Sequence, residues 1–118
     1  MKNKNISIEV VVGIIHNSNN EIFIAKRTKN QFMAGYWELP GGKVELDEDH
    51  IGAIKRELLE ETGITVKDCR LVQKIQHTYP EKIINLSVYS IDDYLAEPNG
   101  LEGQEISWVR INQLEKFL

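Results

Sequence analysis

Glu57, Glu60 and Glu61 lie close together in a stretch that can form a helix. Each helical residue advances by about 100°, so Glu57 and Glu61 stand about 40° apart and Glu57 and Glu60 about 60°. Three carboxylates then share one arc. Like charges at i, i+4 cost an isolated helix about 0.2–0.5 kcal/mol per pair, and a hard divalent cation with phosphate oxygens as further ligands would relieve the crowding. The plainer reading of such a run is a solvated acidic face. Pro40-Gly41-Gly42 stands upstream. Glycine lets a backbone approach another group closely, so a carbonyl there could add an oxygen ligand. A simple turn would look the same.

These residues need elements to hold them. Asp47 to Thr62 carries the clear helical pattern, with Ile51, Ile54 and Leu58 as its apolar stripe, Asp47 as the expected N-cap and Gly63 as the C-terminal stop. Ile6 to His16 and Ile22 to Arg27 read as strands, joined by the turn Asn17-Ser18-Asn19-Asn20 and expected to pair as a hairpin. Lys29 to Tyr36 reads as a loop. Trp37-Glu38-Leu39 is a short extended piece, kept out of helix by Pro40. Cys69 to Thr78 and Lys82 to Ile91 read as two strands around a turn at Pro80; the second alternates Ile84, Leu86 and Val88 with Asn85 and Ser87. A Gly/Pro loop runs from Glu97 to Gln104, Ile106 to Val109 is a last strand, and Ile111 to Leu118 starts a helix. The order predicts an α+β domain spanning residues 1–118.

At 118 residues the chain fits one domain. Its 42% hydrophobic and 27% charged residues are globular composition. Fourteen basic against eighteen acidic residues leave a net charge of -4, which disfavours a nonspecific nucleic-acid or membrane-surface binder. An anionic small molecule stays open if a metal carries the countercharge. Cys69 is the only cysteine, so there is no internal disulfide and no cysteine-based zinc site. The run from Val10 to Ile15, interrupted by Gly13, is too short for a signal or a membrane span. A cytoplasmic setting is expected. His16, His50 and His77 share no ligand spacing.

Taken together, Gly42, Glu48, Arg56, Glu57, Leu58, Glu60, Glu61, Gly63 and Ile64 fill every specified position of the Nudix box. That pattern is Gly, five residues, Glu, seven residues, then Arg-Glu-aliphatic-any-Glu-Glu-any-Gly-aliphatic. A chance match is on the order of 10⁻⁷ over the chain, so the sequence resembles the Nudix hydrolases. Glu21 to Ile24, Arg27, Met33-Ala34, Glu38 to Lys43, Gly100 to Gln104 and Trp108 resemble the MutT subgroup in particular. The resemblance implies a mixed β-sheet between α-helices. It implies Mg²⁺-dependent hydrolysis, with Mn²⁺ as a substitute, of oxidised purine nucleoside triphosphates such as 8-oxo-dGTP to the monophosphate and pyrophosphate. The partner is then a small nucleotide, with neither nucleic acid nor membrane bound directly, and the protein a monomer or homodimer. MutT-like chains continue into an asparagine that reads the oxidised base and a long C-terminal helix, so the resemblance leaves two expectations at Leu118: the helix begun at Ile111 is cut short there, or the enzyme lacks the base reader.

By the same resemblance, the Gly42 carbonyl and Glu57, Glu60, Glu61 and Glu102 hold metal. Glu57 also serves as general base, and Arg56, partnered by Glu48, positions the glutamates. Arg27 meets the nucleotide phosphate; Leu39 and Tyr79 line the base pocket by a backbone contact and an aromatic wall. Plainer readings stand beside these: a structural ion pair for Arg56 and Glu48, an exposed loop acid for Glu102, a surface salt bridge for Arg27 and strand-end packing for Tyr79. Two rival functions also stand. One is a Nudix hydrolase of another substrate, such as a dinucleoside polyphosphate, ADP-ribose or a nucleotide sugar. The other is a non-catalytic module that senses a nucleotide; an intact box counts against it.

Overall fold

A computed structural model of the chain describes residues 6–28 and 35–116. The loop expected from Lys29 therefore falls largely outside the described residues, as do Met33, Ala34 and Leu118. Among the described residues, seven strands and one α-helix follow in order: β1 (Ile6–Ile15), β2 (Glu21–Lys26), β3 (Trp37–Glu38), β4 (Gly41–Lys43), α1 (His50–Thr62), β5 (Thr65–Thr78), β6 (Lys82–Leu95) and β7 (Ile106–Arg110). Ile111–Lys116 winds as a 3₁₀ helix rather than an α-helix, so α1 is the one α-helix among the described residues.

The strands form a four-stranded mixed sheet, order β4-β1-β6-β5, and a three-stranded antiparallel sheet, order β3-β2-β7. The hairpin expected from β1 and β2 does not form. β1 has β4 on one side and runs parallel to β6 on the other, from Ile6 opposite Lys82 to Ile15 opposite Ile91. Both of its hydrogen-bonding edges are thus occupied, and β2 meets it only through the bridge between His16 and Ile22. β2 instead pairs with β3 and β7. The expected turn at Asn17 is present, its Oδ1 accepting from the Asn19 and Glu21 amides, but the strands diverge after it.

One apolar core joins the two sheets to the helix. Val11, Ile15, Tyr89 and Ile91 from the mixed sheet, Phe23 and Ala25 from the other, and Ala53, Ile54 and Leu58 from α1 belong to one buried cluster. The helix differs in two details from its expected form. Asp49 is the N-cap, its carboxylate accepting from the Gly52 amide at 2.6 Å; Asp47 takes a left-handed turn conformation (φ 66°) two residues earlier. The buried stripe is Ala53, Ile54, Leu58 and Thr62, whereas Ile51 is 40% exposed because it lies on the first turn, beyond the sheet's cover. Gly63 ends the helix in the left-handed region (φ 83°), its amide donating to the Leu58 and Leu59 carbonyls. No helix is long and apolar enough to cross a membrane, among the described residues.

Candidate active site

The site forms where the loop after β4, the face of α1 and the loop before β7 meet. Arg56 is its tie. Its guanidinium donates from Nε to Glu48 Oε2 (2.7 Å) and from Nη2 to Glu48 Oε1 (2.9 Å), a two-point clamp between helix and loop. Nη2 also reaches the Lys43 carbonyl at 3.1 Å, and Nη1 reaches Glu57 Oε2 at 2.9 Å and Glu60 Oε1 at 3.3 Å. The clamp holds the Glu48 carboxyl down at about 2, through the Arg56 hydrogen bond first and the Glu45 amide second.

Gly42 lies directly against Glu57. A methyl group built on Gly42 would stand 2.5–2.6 Å from the Glu57 carboxylate atoms, so glycine alone lets the β4 backbone come this close. The Glu57 side chain is only 16% exposed. Glu61 beside it is pushed up to about 8, chiefly by burial, then by the charge and hydrogen bond of Glu57 and the charges of Glu102 and Glu38. Glu60 is more open to solvent than Glu57. Its side chain is 55% exposed, and its Oε1 accepts from the same Arg56 Nη1 that bonds Glu57. As placed, no three acids converge on a common metal position, among the described residues.

The loop bearing Glu102 docks onto the end of α1. The Asn99 amide donates to the Thr62 carbonyl (2.9 Å) and the Leu101 amide to the Glu61 carbonyl (3.0 Å). Glu102 and Glu61 thereby face one cleft of about 190 Å³, with Glu38, Gln104, Thr28 and Lys26. Next to it, on the other face of the mixed sheet from the helix, lies a cavity of about 640 Å³ lined by Val10, Val12, Leu86, Leu39, Trp37 and Gly42. Glu38 and Glu61 line both spaces, and Arg27 lines the second. Arg27 is held there by Glu38, with Nε at 3.0 Å and Nη2 at 2.9 Å from Glu38 Oε1. Burial raises the Glu38 carboxyl above its ordinary value even though Arg27 pulls it down.

Tyr79 stands apart from this assembly. It is 44% exposed at the β5–β6 turn, its ring 4.9 Å from His77, and it lines a separate groove with Pro80, Glu81 and Lys82. The hairpin is long enough to carry its tip past the start of β1, opposite Ile6, away from the β1 residues that line the cavity.

Glu38 and Gln104 have no role of their own in the sequence, where they stand only inside the MutT-like stretches, yet both line the cleft. Strand pairing draws Glu38 in, because β3 places it opposite Ala25, two residues before Arg27. Gln104 enters through its loop's docking on α1.

A family model for the NUDIX domain matches residues 11–117. The 8-oxo-dGTP diphosphatase of Escherichia coli is 40% identical over 104 residues, covering 88% of this chain and 81% of that protein. The CTP pyrophosphohydrolase of the same organism is 37% identical over 101 residues, 86% of this chain and 74% of that protein. A MutT structure from a study of the Aliivibrio salmonicida and Vibrio cholerae proteins superposes with a TM-score of 0.84 at 38% identity, covering 95% of this chain and 86% of that one. The MutT protein of Methanosarcina mazei superposes with a TM-score of 0.86 at 29% identity, covering 99% and 86%. With the box intact on α1 and its flanking loop, the chain belongs to the Nudix hydrolase family, among its MutT-like members.

Proposed function

We propose that the protein hydrolyses oxidised purine nucleoside triphosphates, 8-oxo-dGTP foremost, to the monophosphate and pyrophosphate. One observation carries the reading: a cavity of nucleoside size, with Val10, Val12, Leu39 and Leu86 as its apolar side, and an acidic cleft share the wall made by Glu38 and Glu61. A volume of 640 Å³ lies within the usual range for small-molecule sites. A base can lie on Val10, Val12, Leu86 and Leu39 while its phosphates run past Arg27 towards the carboxylates.

The family generally depends on a divalent metal, and the donor set here suits one. Glu57, Glu61, Glu102 and Glu38 bring hard carboxylate oxygens to one part of the molecule, the donor type such a cation takes. Mg²⁺, or Mn²⁺ in its place, would be held by the Gly42 carbonyl with Glu57, Glu60, Glu61 and Glu102; Glu60 must first leave Arg56. What a bound cation supplies is neutralisation of phosphate charge and polarisation of the phosphoryl oxygen. The chain's own part is orientation and proton transfer. Glu57, fixed by Arg56 and flanked by Gly42, takes the proton of the attacking water. Arg56 and Glu48 hold helix and loop in register for that transfer. Arg27 meets the phosphate chain, for which it must exchange its bond to Glu38. Leu39 contributes backbone at the base. The nucleotide pool places such an enzyme in the cytoplasm.

The test is a hydrolysis screen over 8-oxo-dGTP, dGTP, CTP and ADP-ribose with product identification, run with Mg²⁺ and with excess chelator. The proposal expects 8-oxo-dGTP to be cleaved to 8-oxo-dGMP and pyrophosphate only when metal is present. Preferential cleavage of CTP or ADP-ribose would replace the substrate, and full activity in excess chelator would overturn the mechanism.

A further inference from the structure

We infer that Gln104 is a positioning residue that sets the direction of Glu102 by linking its loop to the catalytic helix. The last carbonyls of a helix have no partners within it. Here the 99–104 loop supplies them. Asn99 and Leu101 amides reach Thr62 and Glu61, and Gln104 Nε2 donates to the Glu61 carbonyl at 3.4 Å. The other end of the same amide, Oε1, accepts from the Glu102 backbone amide at 2.9 Å. One planar side chain thus spans the backbone of two acids that face the same cleft, which Gln104 itself lines.

Glu102 needs such support more than Glu57 or Glu61. Those two ride on a helix with their backbone fixed. Glu102 sits in an exposed turn between Gly100 and left-handed Gly103 (φ 83°), where the Gly103 amide donates to the Gly100 carbonyl. A turn of that kind fixes the chain's path but leaves the plane of the Glu102 peptide to whatever bonds its amide, which is Gln104. Residues that orient a ligand without touching the metal commonly account for 10–100-fold in metal affinity.

The inference rests on the proposed metal role of Glu102, so the experiment measures Mn²⁺ binding without nucleotide, independently of which nucleotide is cleaved. Four proteins are titrated by electron paramagnetic resonance of free Mn²⁺: the parent, Gln104→Met, Glu102→Ala and the double variant. Methionine keeps the length of the side chain and removes both hydrogen bonds. Gln104→Met should weaken Mn²⁺ binding about 10-fold in the parent and less than about 2-fold in the Glu102→Ala background. The Glu102 amide should also exchange its hydrogen faster in Gln104→Met, with the α1 amides unchanged. Unchanged Mn²⁺ affinity in Gln104→Met, or an equal loss in both backgrounds, would overturn the inference. Mn²⁺ affinity untouched by Glu102→Ala would overturn it together with the metal role of Glu102. A wrong substrate assignment would show only in the hydrolysis screen and leave these titrations as expected.

Discussion

Gly42 and Glu57 depend on each other at the scale of single atoms. The space a methyl group would need at Gly42 is taken by the Glu57 carboxylate, and Gly42 has no left-handed backbone that alanine would resist. Gly42→Ala should therefore leave the fold intact and push Glu57 out of place. The expected outcome is a fall in kcat of about 10²-fold, within the usual range for losing a general base, with the melting temperature moved little. Glu57→Gln is the sharper variant, because it keeps shape and removes charge. kcat should fall about 10²–10⁴-fold while circular dichroism stays unchanged. Near-normal kcat at saturating metal would transfer the general-base role to Glu102, which lines the cleft from an exposed loop.

At the scale of elements, the box is a loop, a helix and a second loop held together at both ends. The Glu48–Arg56 clamp ties the first loop to α1, and its stability has a sign in pH. Glu48 is held at about 2 in the folded protein against an ordinary 4.5. A carboxyl lowered on folding contributes stability that is present above about pH 4.5 and lost as pH falls towards 2. Urea unfolding of the parent and of Glu48→Gln should therefore differ most at neutral pH and converge through that window. A difference that persisted unchanged at pH 3 would contradict the clamp. The other end depends on Gly63. An alanine there must hold a left-handed conformation, at about 1–2 kcal/mol, and its methyl would press on Leu101 at 3.2 Å. Leu101 neighbours Glu102, so Gly63→Ala should lower the melting temperature by about 4–8 °C and weaken Mn²⁺ binding as well. Loss of stability with unchanged metal affinity would show that the Glu102 loop docks independently of the helix stop.

At the scale of the whole molecule, what the sequence made legible was local. Gly63 as helix stop, the turn at Asn17 and the extended piece at Trp37 follow from one or two residues and their neighbours, and the structure has them. The fold class and the Nudix family were legible too, because the box confines its pattern to one helix and its flanks. What escaped was set by pairing at long range: β1 chose β6 as its parallel neighbour, so β2 left for a second sheet. Pairing of β3 with β2 places Glu38 in the cleft, and the length of the β5–β6 hairpin carries Tyr79 to its tip, neither of which periodicity can express. That two-sheet division makes the single-domain reading testable. Both tryptophans lie in the smaller sheet, Trp37 on β3 and Trp108 on β7, whereas α1 packs with the larger one. Tryptophan emission therefore follows one sheet, and far-ultraviolet dichroism at the helical band follows the other side. If the shared core makes one cooperative unit, the two signals should trace the same urea transition. Phe23 is the residue to perturb, being fully buried on β2, edge-on to Trp108 with ring centroids 5.5 Å apart, and part of the cluster with Ile54 and Leu58. Phe23→Ala should destabilise the protein by about 3–5 kcal/mol, and both signals should shift together. A variant whose emission unfolds early while the helical signal keeps its midpoint would mean that the two sheets are separate folding units, and that the cleft between Glu38 and Glu61 can open without the helix unfolding.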